Sequence, residues 1–277
     1  MNFKNKYKFN STKIPHISIF TLFFIVMGCI FSKFIINHNP IYMDVYNINV
    51  PPNEVFWFGT DSMGRDIYSM IWYGGRISLF IGIFSTLIST FIGIVYGSVS
   101  ATAPKKIDNI MMRFTEIILS IPSILLIVFI ESIFKSSNPI TISIVIGITS
   151  WTTIAKVIRA EVRQIRNSDY ILYAKISGGS FFYILNKHLL PNFIASIMFI
   201  VVNNIGHAIL LESTLSFLGV GLPIEIISWG SMLTLAQEAL LSNRWWIIVI
   251  PGFFLITTLV CITSLGNYIR EINSKKI

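Results

Sequence analysis

Residues 77–103 read ISLFIGIFSTLISTFIGIVYGSVSATA, a run without a single Asp, Glu, Lys or Arg. Wound as an α-helix at about 1.5 Å per residue, it reaches roughly 40 Å, beyond the roughly 30 Å of hydrocarbon in a bilayer. Residues 136–155, 189–211 and 245–269 are equally free of charge, and residues 14–32 form a fifth run between Lys13 and Lys33. Five such segments leave a water-soluble chain without the polar helix faces it needs. The composition agrees: 53% of the 277 residues are hydrophobic and 12% are charged, where soluble domains carry about 25% charged residues.

One further segment is less clean. The uncharged stretch of residues 117–130 is too short to cross alone and by itself suits a buried or re-entrant piece. It crosses if Arg113 and Glu116 lie near one interface and Glu131 near the other. Residues 108–134 are then the third of six helices, and the expected fold class is an all-α membrane protein with six transmembrane helices.

The net charge of +8 raises the question of nucleic acid, but its distribution points to a bilayer. One side receives Lys4, Lys6, Lys8, Lys13, Lys105, Lys106, Arg113, Lys156, Arg159, Arg163, Arg166, Lys175, Lys187, Arg270, Lys275 and Lys276. The other receives only Lys33, Arg65, Arg76, Lys135 and Arg244. This asymmetry places both termini in the cytoplasm. Cys29 and Cys261 fall inside expected spans with no paired spacing, so they read as small packing groups. The first apolar run is longer than a signal-peptide core and lacks a small-x-small cleavage site before Lys33, so it reads as a retained helix.

The parts follow. Residues 1–36 are a cytoplasmic N-terminus and first helix, and residues 37–73, with Pro40, Pro51 and Pro52, read as an external loop rather than a helix. Residues 74–270 form a five-helix core with a cytoplasmic loop at 161–190, and residues 271–277 are a cytoplasmic tail. Trp57, Trp72, Trp229, Trp245 and Trp246 all fall at the outer interface, as an aromatic belt would place them.

The cytoplasmic loop contains residues 167–180, NSDYILYAKISGGS. Asn167 or Ser168 suits a helix cap, Asp169 favours the first turn, and Gly178 accepts the left-handed conformation that ends a helix. Ser180 then caps a second helix over 181–190, before Pro191 and Asn192 open the fifth span. The short helix carries Tyr170, Ile171, Leu172, Tyr173 and Ala174 outside the bilayer. An apolar helix in that position suits docking to a partner protein.

These residues resemble the "EAA" loop of bacterial ABC-importer permeases, whose pattern is Glu-Ala-Ala, three residues, then Gly. Ala174 and Gly178 match it, while Leu172 and Tyr173 stand where the Glu and first Ala are expected. The flank HLLPN at 188–192 is similar to the family's His-x-x-Pro-Asn. Four further motifs narrow the resemblance to the dipeptide/oligopeptide/nickel permease group. They are FGTDSMGRD at 58–66, YGGRISL at 73–79, ESTLSFLGVG at 212–221 and SWGSML at 228–233. The resemblance implies a type I ABC importer permease fold with a cytoplasmic coupling helix. Its ATPase-docking residues would be Asp169, Tyr170, Ile171, Leu172, Tyr173, Ala174 and Gly178. It also implies a second homologous permease, two ABC ATPase subunits and an external solute-binding protein. The transported solute would be a di- or oligopeptide, nickel or a metal chelate.

Chemistry inside the chain is sparse. Gly59, Asp61, Gly64, Arg65 and Asp66 suggest a turn locked by Arg–carboxylate bonds at the external mouth; without a base–nucleophile pair they make no catalytic site. Glu212, costly in lipid, should face protein or a water-filled path. Asn203 and His207 share a helix face, either lining a path or bonding a neighbouring helix. His16, His38, His188 and His207 have no common spacing, so no metal site is expected. No phosphate-binding G-x-x-x-x-G-K-[ST] loop occurs, so no cofactor is expected and any ATP would be bound by partner subunits. The alternative class is a stand-alone secondary transporter or channel, which would carry ion-coupling carboxylates in mid-membrane and often an inverted repeat.

Overall fold

A computed structural model describes residues 14–134, 138–235, 239 and 242–274. Lys4, Lys6, Lys8, Lys13, Lys135, Lys275 and Lys276, part of the expected charge asymmetry, lie outside these residues. The chain begins with α1 (His16–Ile30) and the short α2 (Ser32–Ile35). A loop over 36–66 then leads to α3 (Ile67–Thr102). That loop is shorter than the expected 37–73 because Asp66 ends it: its Oδ2 accepts the Ser69 N–H at 2.8 Å and caps α3.

The expected third helix, 108–134, is two helices. α4 (Lys105–Ser120) and α5 (Ser123–Glu131) meet at 91°. Pro122 is the cause, since it lacks an N–H and drives Ile121 out of the helical region, to φ −91° and ψ 129°. The fourth span is also broken. α6 (Pro139–Thr149), capped by the Asn138 side chain, meets α7 (Thr152–Ile165) at 44°.

α8 (Asp169–Ile176) follows, and Gly178 closes it at φ +79°. The second helix expected over 181–190 does not stand apart from the fifth span. α9 (Phe181–Ile184) passes through one π-helical turn, Leu185–Leu189, into α10 (Leu190–Phe217). Pro191, which has no N–H to give, follows directly on the π-helical turn. α11 (Trp229–Thr234) and α12 (Trp245–Ser274) complete the described chain. Among the described residues α3, α10 and α12 are long and apolar enough to cross a bilayer, each bent pair counted as one span brings the number to as many as five, and α1 is apolar but shorter.

α3 is the central element, touching α1, α6, α7, α10, α11 and α12. The sequence makes this possible through a buried face of small residues: Ser78, Gly82, Ser85, Ser89, Gly93, Gly97 and Ser100. Between apolar helices in lipid, association depends on van der Waals contact, and small residues let backbones approach. The α3–α7 contact brings backbone against backbone. A Cβ on Gly97 would lie 2.5 Å from the Ala155 carbonyl oxygen, and one on Gly93 would lie 2.7 Å from Ile154.

The tryptophans divide differently from the expected belt. Trp57 and Trp245 are exposed, whereas Trp72, Trp229 and Trp246 are buried. Trp229 and Trp246 keep their indole N–H groups satisfied inside, donating at 3.1 Å to the carbonyls of Ile71 and Thr60.

Because the neighbour at Gly97 is backbone rather than a flexible side chain, Gly97→Leu should force α3 and α7 apart at a cost of about 1–3 kcal/mol. Thermal unfolding of detergent-solubilised protein reads this as a lower midpoint. A midpoint equal to that of the unsubstituted protein would disprove the tight α3–α7 seam.

Candidate functional site

Three clusters lie along α3: one at its N-terminal end, one near its middle and one at its C-terminal end. At the N-terminal end the loop residues Gly59, Asp61, Gly64, Arg65 and Asp66 are brought together. Asp61 and Arg65 are both buried, and Arg65 Nε donates to Asp61 Oδ2 at 2.8 Å. Asp61 Oδ1 accepts the Met63 and Arg65 N–H groups at 2.8 and 2.9 Å. Gly64, at φ +74°, lies so close to Asp44 that a Cβ would sit 1.9 Å from its carbonyl oxygen. Arg65 Nη1 also reaches the Ile224 carbonyl at 3.2 Å, tying the turn to the connection between α10 and α11.

That connection is organised by Glu212, which is 0% exposed. Its Oε1 accepts the Ser228 hydroxyl at 2.8 Å and the Ser216 hydroxyl at 3.0 Å. Ser228 also caps α11 through a reciprocal capping box with Ser231. Gly230 passes directly over the carboxylate, where a Cβ would be 2.8 Å from Glu212 Oε1. The Trp229 N–H donates to Ser78 Oγ at 3.1 Å. Residues from the segments 73–79, 212–221 and 228–233, separate in sequence, therefore meet at one buried point.

Near the middle of α3 the two helix breaks face each other across a cavity of about 710 Å³. The α4–α5 elbow contributes Ser120, Ile121, Pro122 and Ser123, and the α6–α7 break contributes Thr149, Ser150, Thr152 and Thr153. α10 closes it with Asn203, Asn204 and His207. Irregular backbone at such depth is tolerated where it lines a cavity or is buried in protein. Asn203 and His207 thus share the cavity, and Glu212 is not among its lining residues. Asn203 bonds within its own helix, donating to the Phe199 carbonyl at 2.8 Å. The helix-to-helix bond is made by Asn204, which donates to Ser89 of α3 at 2.8 Å. The i,i+4 spacing drew attention to Asn203, while the partner that selects Asn204 is 115 residues away.

At the C-terminal end of α3, α8 is anchored by Ile171, which is 1% exposed. Ile171 packs in a cluster with Ala101, Ile158, Val162, Ile184 and Leu189, so it faces the protein rather than a partner. Ala174 lies partly buried against the same cluster. Tyr170, Leu172, Tyr173 and Ile176 stay exposed, the last two at 71% and 84%. The His188 ring lies 6.1 Å from Tyr170 and 5.8 Å from Tyr183.

Beside this helix lies a feature that charge counting missed. Asp108, 1% exposed, accepts Arg159 Nε at 2.6 Å and Nη2 at 2.7 Å. Its remaining partners are Arg163 Nη2 and the Ser100 hydroxyl, the latter at 2.6 Å. Arg166 reaches the carbonyl of Ala101. The Arg159–Arg163 spacing was a usable signal, since i,i+4 arginines on a helix with an apolar opposite face need a partner.

Two comparisons with known proteins bear on these clusters. Residues 89–277 match the family described as binding-protein-dependent transport system inner membrane component. The chain is similar to the dipeptide transport system permease protein DppC of Bacillus subtilis (strain 168), at 34% identity over 98% of the chain and 84% of that protein. It is also similar to the oligopeptide transport system permease protein OppC of the same organism, at 32% identity over 94% of the chain and 83% of that protein. These relatives are transport components, not enzymes.

The Asp61–Arg65 turn yields a direct test. Arg65→Ala leaves the Asp61 carboxylate buried without its cation, and breaking such a pair costs about 3–5 kcal/mol. The expected result is faster limited proteolysis within residues 36–66 of the detergent-solubilised protein. Cleavage at the original rate would show that the pair does not hold the loop.

Proposed function

The chain belongs to the family of binding-protein-dependent transport system inner membrane components, and from this we propose that it is one of two permease subunits of an ATP-driven peptide importer. The observation that carries this reading is the mid-bundle cavity, walled by two helix breaks and by Asn203 and His207. Broken helices expose backbone amides and carbonyls to a solute at the depth where a path must bind it and let it go.

The lining favours a peptide over a metal ion. It offers hydroxyls, side-chain amides and the single imidazole of His207, but no carboxylate or thiolate among the described residues. A nickel ion prefers several imidazole, thiolate or carboxylate ligands together, whereas peptide groups hydrogen-bond well to hydroxyls and amides. The named relatives, one a dipeptide and one an oligopeptide permease, agree with that choice.

In this reading α1 with α2 supplies a sixth crossing, and both termini lie in the cytoplasm. α8 is then the coupling helix, offering Tyr170, Leu172, Tyr173 and Ile176 to an ABC ATPase subunit, with Ile171 as its anchor. The loop over 36–66 and the Glu212 cluster shape the external mouth that meets a solute-binding protein. A second homologous permease completes the path, and a second ATPase docks on it. ATP-driven closure of the ATPase pair moves α8, and rigid-body tilting of the helices exposes the cavity to alternate sides.

The test is assembly followed by transport. In mild detergent the chain should copurify with its partner permease and a phosphate-loop ATPase. A Tyr173→Asp, Ile176→Asp double variant should lose most of the retained ATPase while still inserting in the membrane. Gly178→Pro, which forbids the φ of +79° found there, should do the same by misplacing α8. In liposomes the complex should move a labelled dipeptide only with ATP and the binding protein. Full ATPase retention in both variants would overturn the docking surface. Uptake by this chain alone without ATP would favour a secondary transporter or channel.

A further inference from the structure

α4 is loosely seated for a helix that walls the cavity. Only Asp108, Met112 and Thr115 are buried along it. Ile107, Ile110, Phe114 and Ile117, spaced three and four apart, all point outward. Away from its first turn, its polar tether among the described residues is the Tyr96 hydroxyl, which donates to the Met111 carbonyl at 2.8 Å.

Its junction with α7 is narrower still. Among the described residues, every hydrogen bond between α4 and α7 ends on the Asp108 carboxylate. Immediately beyond it the two helices part around a gap of about 450 Å³, lined by Asn109, Met112, Arg113, Glu116, Lys156 and Arg159. The cavity at the α4–α5 elbow lies farther along the same groove, bordered by Ser120 on α4 and by Thr152 and Thr153 on α7.

α7, in turn, is joined firmly to α8. Its C-cap residue is Arg166, three residues before α8 begins. The corner between them is closed by the Ser168 hydroxyl on the Ile165 carbonyl at 2.7 Å, and by Ile171 packed with Ile158 and Val162. A displacement of α8 therefore carries α7 with it. Among the described residues, the hydrogen bonds that pass it on from α7 to α4 are those of Arg159 and Arg163 to Asp108.

We propose that Asp108 is a positioning residue of the transport cycle, passing displacement of α8 through α7 to α4 and so to the elbow that walls the cavity. A bidentate guanidinium–carboxylate pair suits this task, since two parallel bonds fix direction as well as distance. Ser100 ties the same carboxylate to the end of α3, so that α4 moves as a lever about that point. This inference rests on the permease reading above.

The experiment uses the assembled complex in liposomes and measures peptide moved per ATP hydrolysed. Asp108→Asn keeps the shape and one carbonyl oxygen but removes the charge that holds both arginines. Charge-assisted bonds of this kind are strong enough that transport per ATP should fall about tenfold, with the ATPase still bound. Asp108→Glu should recover part of the ratio. Arg163→Gln, at a more exposed partner, should lower the ratio less and in the same direction. It decides the matter if Asp108→Asn fails to assemble. An unchanged ratio in whichever of these variants assemble, or transport and hydrolysis falling in equal proportion, would reduce Asp108 to a structural pin and overturn the proposal. A wild-type complex that neither retains ATPase nor moves peptide would instead refute the permease reading itself.

Discussion

The fold depends on how closely other helices can approach α3. In lipid there is little hydrophobic gain from bringing two apolar helices together, so contact area and polar bonds must hold them. The face of small residues from Ser78 to Ser100 supplies that contact on several sides at once. Gly93 and Gly97 admit α7, Gly82 admits α10 at Ile209, and Ser85 and Ile88 receive Gly147 of α6. A larger side chain at these points would push the neighbouring helices away from α3.

With α3 as the mast, the polar groups fall into three levels. Buried carboxylates occupy the two ends, Asp61 with Glu212 at one and Asp108 at the other, each accepting from fixed donors. Between them lies a cavity whose lining carries hydroxyls, amides and one imidazole. This order has a physical basis. Buried charge needs fixed donors and so makes rigid joints, whereas neutral polar groups can exchange partners with a passing solute. Rigid ends around an adaptable middle are what a path opened by tilting helices requires, and they support the importer reading.

The chain also shows where reading a sequence loses ground. Residues 108–134 were read by their charges, and Pro122 inside that segment marked the 91° elbow more directly than the charge pattern did. The break at Ser150 and Trp151 has no proline or glycine to announce it. Asp108, Arg159 and Arg163 were legible only as charges placed near a membrane surface. Their pairing joins positions 51 and 55 residues apart, and no local pattern reports a contact of that range. Ile171 shares the apolar character of its neighbours on α8, and one turn of helix suffices to direct it inward while Tyr173 and Ile176 stay outside.

By itself the sequence determined the solvent. Charge-free runs require lipid whatever the neighbours, because burying an apolar segment of that length depends only on its own composition. It also determined local stops and starts, such as the Ser180 cap and the left-handed turn at Gly178, since each is settled within a few residues. The tertiary structure alone decided which polar groups share a cavity, which carboxylate meets which arginine, and which side of α8 is left free. Those outcomes depend on how helices cross and break, and hence on steric fit between segments distant in the chain. The opening run, residues 77–103, shows both halves: its composition made it a membrane helix, and its glycines and serines acquired their role only when other helices came to rest against them.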